Sequence, residues 1–465
     1  MRIKNIILTA LAASTALSAV AETSYYWRGE YGDPLFISSS WSLVQGSTAD
    51  ADVALDAPDE NTDIIVDSKG RCYSSFARIS LKNGISGTVR SWTSTNTTEI
   101  WFNGSTTSHL IVLNDFSTNI SNNLTGLSGG EYKGANATFD KEKALRLITS
   151  TQAENVLTVG GDMTLSTSKY HDSILSYNSN STTIGLRVKG QWAFNHTGNT
   201  GFHLFNFNAS GSTTTDNINL GGLASSGKTV VFTATKTNTV NLNFIDNDEG
   251  VFKGGEFSGI LVNGASGVNS QFNFTMDASK ATQKTQTINI YKASNTAGHG
   301  LTDEAWGIAG MTDMAIGTIE VKKGDLVFNS ELSIANVNLS GGTLSLTMGD
   351  GATVGNLTAT GGSWIFADTI DVETFTSSGT INVVFTEALE KEFYTLITCN
   401  GLSVDPATTF VAVDKNGNEI AGNFDVVFAD NKYSLNFTAA APEASEIAML
   451  FGIIALGFAA YRRRE

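Results

Sequence analysis

The sequence predicts an all-β protein built from short, repeated strands, and three observations support this fold class. Hydrophobic residues make up 41% of the 465 residues, so the chain can bury a core and is not intrinsically disordered. Charged residues make up only 16%, below the ~25% of an ordinary soluble domain. Short runs of alternating apolar and polar residues recur between corners rich in Gly, Ser, Thr and Asn, as expected for half-buried strands. We therefore expect a right-handed parallel β-helix, or solenoid, with an N-terminal cap and with a C-terminal transmembrane helix.

A repeated Gly-x-apolar-x-apolar pattern carries this prediction. Its four most regular copies are Gly324–Phe328, Gly342–Leu346, Gly362–Phe366 and Gly379–Val383, whose glycines are 18, 20 and 17 residues apart. The alternation gives each strand one buried face, and the glycine supplies a corner with positive φ. A period near 20 residues is typical of one coil of a β-helix. A string of β-sandwiches, which also contains short alternating strands, is the alternative.

The same pattern occurs earlier in the chain with less regular spacing. Gly161–Leu165 and Gly190–Phe194 both fit it. Asparagine and threonine recur throughout, and side chains of this kind stack into hydrogen-bonded ladders when parallel strands repeat in register. The asparagines expected in such ladders are Asn217, Asn219, Asn238 to Asn243 and Asn289.

The N-terminus has the three parts of a secretory signal peptide. Arg2 and Lys4 form a positively charged region, an apolar region follows, and Ala19-Val20-Ala21 is a small-residue cleavage site. We expect cleavage after Ala21, so that the mature chain begins at Glu22. An uncleaved membrane anchor is the alternative.

The C-terminus ends in an uncharged apolar run, 447–461, followed by Arg462, Arg463 and Arg464. A helix of that length covers ~22 Å, short of the ~30 Å hydrocarbon core, but snorkelling side chains and local bilayer thinning allow it to span. The positive-inside rule places the arginines in the cytoplasm. A buried terminal helix is the alternative.

Pro442-Glu443, the apolar segment and the final arginines together resemble the PEP-CTERM sorting signal, with Ala444 where the family pattern has a second proline. The resemblance implies a bacterial protein that is secreted through the inner membrane as a membrane-anchored precursor. It also implies recognition by an exosortase-like membrane protease, which removes the tail, and a final location at the cell surface or outside the cell. Residues Pro442, Glu443 and the three arginines would form the signal.

The region from Gly317 to Phe385 resembles the passenger repeats of autotransporter-type surface proteins, most specifically in Val337–Leu344 and Ala352–Leu357. The N-terminal block resembles the cap that opens many such passengers, through Trp27, Gly29, Trp41, Pro58, Asp63, Ile64 and Val66. The expected organisation is a signal peptide (1–21), an N-terminal cap (22–69), β-solenoid repeats (70–386), a terminal β-region (387–438) and a sorting signal (439–465).

Candidates for chemistry are weak, and we expect no catalytic, metal or cofactor site. None of the five histidines lies in a zinc-hydrolase motif. His171, His196 and His203 are expected to be surface residues, with a meeting on adjacent corners as the alternative. The acidic segments 246–250 and 56–67 are expected to be a solvated turn and a polar loop. The two cysteines, Cys72 and Cys399, are expected to be unpaired and buried.

The net charge of −16 argues against nucleic acid as a partner, because phosphate binding requires a basic surface. We expect a non-enzymatic structural or adhesive protein of the cell envelope or extracellular matrix. A face of Thr, Asn and aromatic residues would bind exopolysaccharide or other glycans, with Trp92, Trp101, Phe102 and Tyr132 as candidates. The alternatives are a carbohydrate-active β-helix enzyme, either a lyase or a glycosidase, and a permanently anchored membrane protein.

Overall fold

A computed structural model describes most of the chain between residues 23 and 440. The described residues are 23–29, 33–66, 76–82, 86–95, 97–103, 109–120, 143–149, 153–167, 171–177, 183–196, 203–208, 214–226, 230–234, 237–263, 267–279, 284–294 and 311–440. They are nearly all β-strand, with short 3-10 helices at Ser38–Ser40 and Asp50–Asp52. The chain divides into two compact units, the first of Met1–Phe274 and Ile288–Ala315, the second of Thr275–Thr287 and Ile316–Glu465.

The first unit contains the strands up to β25, with the residues of β23 and β24 divided between the two units. These strands are β1 (Thr23–Trp27), β2 (Asp33–Pro34), β3 (Trp41–Ser42), β4 (Thr62–Val66), β5 (Phe76–Lys82), β6 (Gly87–Val89), β7 (Ser91–Ser94), β8 (Thr97–Asn103), β9 (Leu110–Val112), β10 (Phe116–Ile120), β11 (Lys143–Thr149), β12 (Ala153–Val159), β13 (Met163–Thr167), β14 (His171–Tyr177), β15 (Thr183–Val188), β16 (Trp192–His196), β17 (His203–Asn208), β18 (Thr214–Leu220), β19 (Leu223–Ser226), β20 (Val230–Ala234), β21 (Asn238–Ile245), β22 (Gly255–Asn263), β23 (Gln271–Asp277), β24 (Thr285–Tyr291) and β25 (Thr312–Asp313).

The remaining strands belong to the second unit. They are β26 (Ala315–Lys323), whose first residue falls in the first unit, β27 (Asp325–Ser330), β28 (Ile334–Leu339), β29 (Thr343–Met348), β30 (Val354–Ala359), β31 (Ser363–Phe366), β32 (Ile370–Ser377), β33 (Thr380–Phe385), β34 (Phe393–Val404), β35 (Thr409–Asp414), β36 (Gly422–Ala429) and β37 (Lys432–Ala439).

Successive strands of the first unit alternate among three sheets, and between β4 and β21 the strands that pair are three places apart in the chain. Sheet A has the order β19-β16-β13-β10-β7-β4-β1-β3. The strands β2-β5-β8-β11-β14-β17-β20-β22 follow one another in sheet B, and β21-β18-β15-β12-β9-β6 in sheet C. Pairing between successive turns is parallel, as between Phe116 and Met163. An all-β fold with parallel sheets is therefore confirmed, and the strand order is consistent with a β-helix.

In the second unit, successive strands alternate between two sheets. One contains β27-β29-β31-β33-β35 and the other β26-β28-β30-β32-β34-β37-β36. Two strands per turn need fewer residues than three, which explains the short period of the sequence repeats in this unit. Asn336 and Asn356 lie one turn apart at a separation of 20 residues, whereas Asp162 and Gln191 in the first unit are 29 apart.

The corner glycines of the second unit have the conformation that the repeat predicts. Gly324, Gly342, Gly362 and Gly379 have φ values of 74°, 62°, 85° and 69°. The first three also open strands that stack in register, since Asp325 pairs with Thr343 and Thr343 with Ser363. The fourth copy is offset by two residues.

That offset leaves the apolar residues of β33 in the core, as an unshifted pairing would. The sequence repeat aligns Ser363 with Thr380, but Ser363 pairs with Asn382 instead. Because side chains alternate with a period of two, a shift of two residues moves a strand along its neighbour without exchanging its faces. Val383 and Phe385 are accordingly buried.

The corner glycines of the first unit are required for a different reason. Gly161 and Gly190 do not have the positive φ that the sequence pattern predicts. A Cβ atom on Gly190 would lie 2.5 Å from the carbonyl oxygen of Gly161, and one on Gly161 would lie 2.9 Å from the carbonyl carbon of Asn114. Close stacking of successive corners, rather than backbone conformation, excludes larger residues here.

Asparagine ladders form on the outer face of sheet C, as predicted for Asn217, Asn219, Asn241 and Asn243. Nδ2 of Asn241 donates to Oδ1 of Asn217 at 2.8 Å, and Nδ2 of Asn243 to Oδ1 of Asn219 at 3.1 Å. Two other predicted members differ. Asn238 is buried and donates to the buried carboxylate of Asp216, and Asn289 donates to Oγ of Ser258 at 3.3 Å.

At the N-terminal end of sheet A, β3 runs antiparallel to β1 and pairs Trp41 with Trp27. Both indoles are buried and meet edge to face, with ring centroids 4.9 Å apart. Nε1 of Trp41 donates to the carbonyl of Leu35 at 2.6 Å. The Arg28 guanidinium is also buried and donates to the carbonyls of Thr48 and Ala49, both at 3.1 Å.

In the part of the chain that the structure describes, no helix is long and apolar enough to cross a membrane. The predicted helix 447–461 lies outside that part, as does the signal peptide.

Candidate functional site

A groove of about 430 Å³ crosses the outer face of the β27–β35 sheet in the second unit. We call it the β27–β35 groove. It is lined by Thr285, Asp325, Leu326, Val327, Thr343, Ser363, Ile365, Asn382, Val384, Val413, Asp414, Lys415 and Gly417.

One wall of the groove is a row of polar side chains at the same register position on four consecutive strands. The row is Asp325, Thr343, Ser363 and Asn382. Parallel strands lie ~4.8 Å apart, so this row presents a hydrogen-bonding group at each such interval. All four residues are half-buried, so their polar groups are partly screened from water.

A second row lies two residues further along each strand and is mostly apolar. It consists of Val327, Ser345, Ile365, Val384 and Val413, all half-buried. The intervening residues, such as Leu326, Leu344 and Val383, point to the core and are buried. The valine and isoleucine side chains of this second row point outward toward solvent. They give the groove an apolar strip next to its polar row.

The turn that follows β35 closes one end of the groove. The Asp414 carboxylate accepts hydrogen bonds at 2.8 Å from the backbone N–H groups of Asn416 and Asn418, and at 2.9 Å from Nδ2 of Asn418. Gly417 has a φ of 83°, which the turn requires. The Asn418 side-chain hydrogen bond, followed by the backbone ones, lowers the pKa of Asp414.

This geometry suits the binding of an extended chain. A long ligand lying across the strands would meet a polar group at each strand and an apolar strip alongside. Asp414 accepts its hydrogen bonds from within its own turn, so it holds the turn in place at the end of the groove.

The histidines singled out in the sequence are placed on different sheets. His171 and His203 pair directly on β14 and β17 of sheet B. His196 pairs with Thr167 in sheet A. The three histidines are therefore not brought together, because His196 lies on a different sheet from His171 and His203.

The acidic turn 246–250 is held by internal contacts and ion pairs. Oδ1 of Asn247 accepts hydrogen bonds from the N–H groups of Glu249 and Val251, at 3.0 and 2.8 Å. The carboxylate of Asp248 pairs with Lys189 and, at 2.8 Å, with Arg187. The hydrogen bond from Lys189 lowers the pKa of Asp248. Among the described residues no group of three or more His, Cys, Asp and Glu side chains is arranged to hold a metal ion.

The prediction that Trp92 belongs to an aromatic glycan-binding face is wrong. Trp92 is fully buried and stacks on Phe116 with ring centroids 5.7 Å apart. It occupies an inward position of β7, where the core takes up large apolar side chains. Tyr132 and the side chains of Trp101 and Phe102 lie outside the description.

Cys399 is buried and unpaired, as predicted, and burial raises the pKa of its thiol. Cys72 lies outside the described residues. So do all the predicted processing residues: Ala19, Ala21, Glu22, Pro442, Glu443, Arg462, Arg463 and Arg464.

Sequence reasoning missed the groove, although its residues stand inside the repeat. The Gly-x-apolar-x-apolar pattern was interpreted from its apolar positions, which form the core. The groove is built from the alternate positions, Asp325, Ser363 and Asn382 among them, and stacking in register brings these together.

No protein-family model matches this chain, and no curated protein matches it.

Proposed function

We propose that this protein is a non-enzymatic surface protein of the PEP-CTERM-sorted type, built as a right-handed parallel β-helix with an N-terminal cap and a C-terminal membrane helix. Its role is structural or adhesive, and it binds extended neutral glycans along the β27–β35 groove. The paired polar and apolar rows of that groove carry the adhesive part of the proposal.

The ligand class follows from the groove and from the charge of the chain. Hydroxyl and amide groups on Thr343, Ser363 and Asn382 can each donate and accept, which matches the hydroxyl groups of a sugar chain. The apolar strip can cover the C–H faces of the sugars. A net charge of −16 repels acidic polysaccharides, so the ligand is a neutral one.

Binding to insoluble cellulose and chitin, with alginate as the acidic comparison, tests the adhesive role. We expect the protein to bind at least one neutral polymer and not alginate. Asn382→Ala removes one polar partner from the groove and should weaken binding about 5- to 30-fold, the effect of 1 to 2 kcal/mol.

Asn356→Ala is the matched control, because Asn356 lies on the other sheet of the same unit and donates to Asn336 at 3.0 Å. It should leave binding unchanged. Equal losses in the two variants, or no binding to either neutral polymer, would contradict a glycan-binding groove.

Sorting makes a separate prediction about the mature chain. Cells of the source organism would be fractionated, and the intact mass of the native protein measured. We expect a mass that lacks residues 1–21 and everything beyond about Ser445, in the outer or extracellular fraction. A chain that keeps 447–465 in the inner membrane would instead be a permanently anchored protein.

A further inference from the structure

The strand β36 forms the end of its sheet and exposes apolar side chains. Among the described strands it pairs with β37, and it follows no other strand in the sheet order. Val426, Val427 and Phe428 are 46%, 45% and 59% exposed. The neighbouring sheet ends differently, because Val413 and Glu419 form a bridge across the edge of β35.

β36 has few of the features that prevent strand edges from pairing. Between Gly422 and Ala429 it contains no proline, lysine or arginine, and its register with β37 is continuous. Soluble proteins usually protect an edge strand with such residues or with a bulge. Its single charge is Asp425.

The turn between β36 and β37 determines which residues of β36 face the free edge. Asp430 and Asn431 both have positive φ, at 52° and 61°, and Ala429 pairs with Lys432 across them. A two-residue turn of this type closes on a hydrogen-bonded pair. By the alternation of an antiparallel ladder, Phe428, Val426 and Phe424 then direct their N–H and C=O groups away from β37.

The same three residues share the apolar face of the strand. They stand opposite Tyr433, Leu435 and Phe437, of which Leu435 and Phe437 are buried in the core. Phe424 is held by Phe437, with ring centroids 4.9 Å apart. The core-facing side of this sheet therefore continues beyond the core along β36, where Val426 and Phe428 are exposed.

A second copy of the same strand complements this edge. With the two strands antiparallel and Val426 opposite Val426 of the second copy, Phe424 of each copy faces Phe428 of the other. Asp425 then faces Val427, so no like charges are opposed. A parallel arrangement in register would instead place the two Asp425 carboxylates side by side, which is unfavourable.

We propose that β36 is a dimerisation edge, which pairs antiparallel with β36 of a second copy about a two-fold axis at Val426. The exposed N–H and C=O groups of Phe424, Val426 and Phe428 form the new ladder. The apolar side chains of the two strands cover one another, and the two sheets become one.

The test is the mass of the full chain in a mild detergent, measured by light scattering after size exclusion. We expect a dimer. Val426→Lys places two ammonium groups on the axis and should give monomers, while Leu55→Lys, at an 88% exposed site in the first unit, should leave the dimer intact. Circular dichroism verifies that each variant is folded.

Mixing the Val426→Lys and Val426→Glu proteins should restore a dimer that neither forms alone, because opposite charges then meet on the axis. A monomeric unmodified chain would overturn the proposal. So would a Val426→Lys variant that stays dimeric, since association would then involve another surface, such as the C-terminal helix.

Discussion

Replacing Phe232 with alanine is expected to lower the free energy of unfolding of the first unit by about 3 to 5 kcal/mol. Phe232 is fully buried on β20. Its ring stacks on those of Phe257 and Phe272, with ring centroids 5.1 and 5.6 Å apart. It also contacts the rings of Trp192, Phe194, Phe205 and Phe207.

Such a ring cannot be lost without leaving a cavity, because its neighbours come from several turns and cannot all move inward together. Urea denaturation followed by tryptophan emission measures the effect. Of the seven tryptophans only Trp364 lies in the second unit, so the emission reports mainly on the first.

Leu55→Ala is the control for the loss of a large apolar side chain as such, because Leu55 lies in the first unit and is 88% exposed. It should change the stability little, and Phe232→Leu should cost less than Phe232→Ala because it leaves a smaller cavity. A change below about 1 kcal/mol in Phe232→Ala would mean that the aromatic cluster is not packed as described.

The second large effect is expected for Gly342→Ala, which should destabilise the second unit by about 2 to 5 kcal/mol. Part of this is the cost of a left-handed backbone for a residue with a Cβ, ~1 to 2 kcal/mol, since φ is 62°. The rest is overpacking, ~1 to 3 kcal/mol. The new Cβ would lie 2.5 Å from the carbonyl oxygen of Gly324 and 2.8 Å from the carbonyl carbon of Lys323.

Gly351→Ala separates the two contributions. Gly351 has a similar φ of 73°, but a Cβ there would have nothing within 4 Å. It should therefore show the backbone cost alone. Hydrogen exchange of peptides from β27 and β29 in increasing urea would measure both variants. Equal losses in the two would show that close stacking of the corners contributes nothing.

The repeat predicted the corners of the second unit well because each requirement is local. A positive φ is a property of one residue, and Gly324, Gly342, Gly362 and Gly379 all have it. The offset of β33 by two residues was not predictable from the spacing of glycines. It depends on how β33 packs its apolar side chains against β31, and a shift by two satisfies the alternation equally well.

The sequence predicted hydrogen-bonding partners correctly where the same residue type recurs in register on the outer face. It did not predict them where the residue lies in the core. Asn217 and Asn241 form the expected ladder on the outer face. Asn238 belongs to the same sequence cluster but is buried beside Asp216, where a hydrogen-bonding partner is needed most. Trp92 was expected at the surface as a glycan-binding residue, but it lies in the core.

By itself, the sequence determined that the chain forms short strands with one buried face, that these strands stack in parallel, and that glycines occupy the corners. It could do so because alternation and backbone conformation are local properties that repeat along the chain. Tertiary structure decided which strands share a sheet. The period near 20 residues gave the length of a turn in the second unit, but the division into three sheets in the first unit and two in the second depends on long-range pairing. Tertiary structure also decided the groove and the exposed edge of β36. Both depend on which outward residues become neighbours, and that is set by register across turns rather than by any contiguous motif.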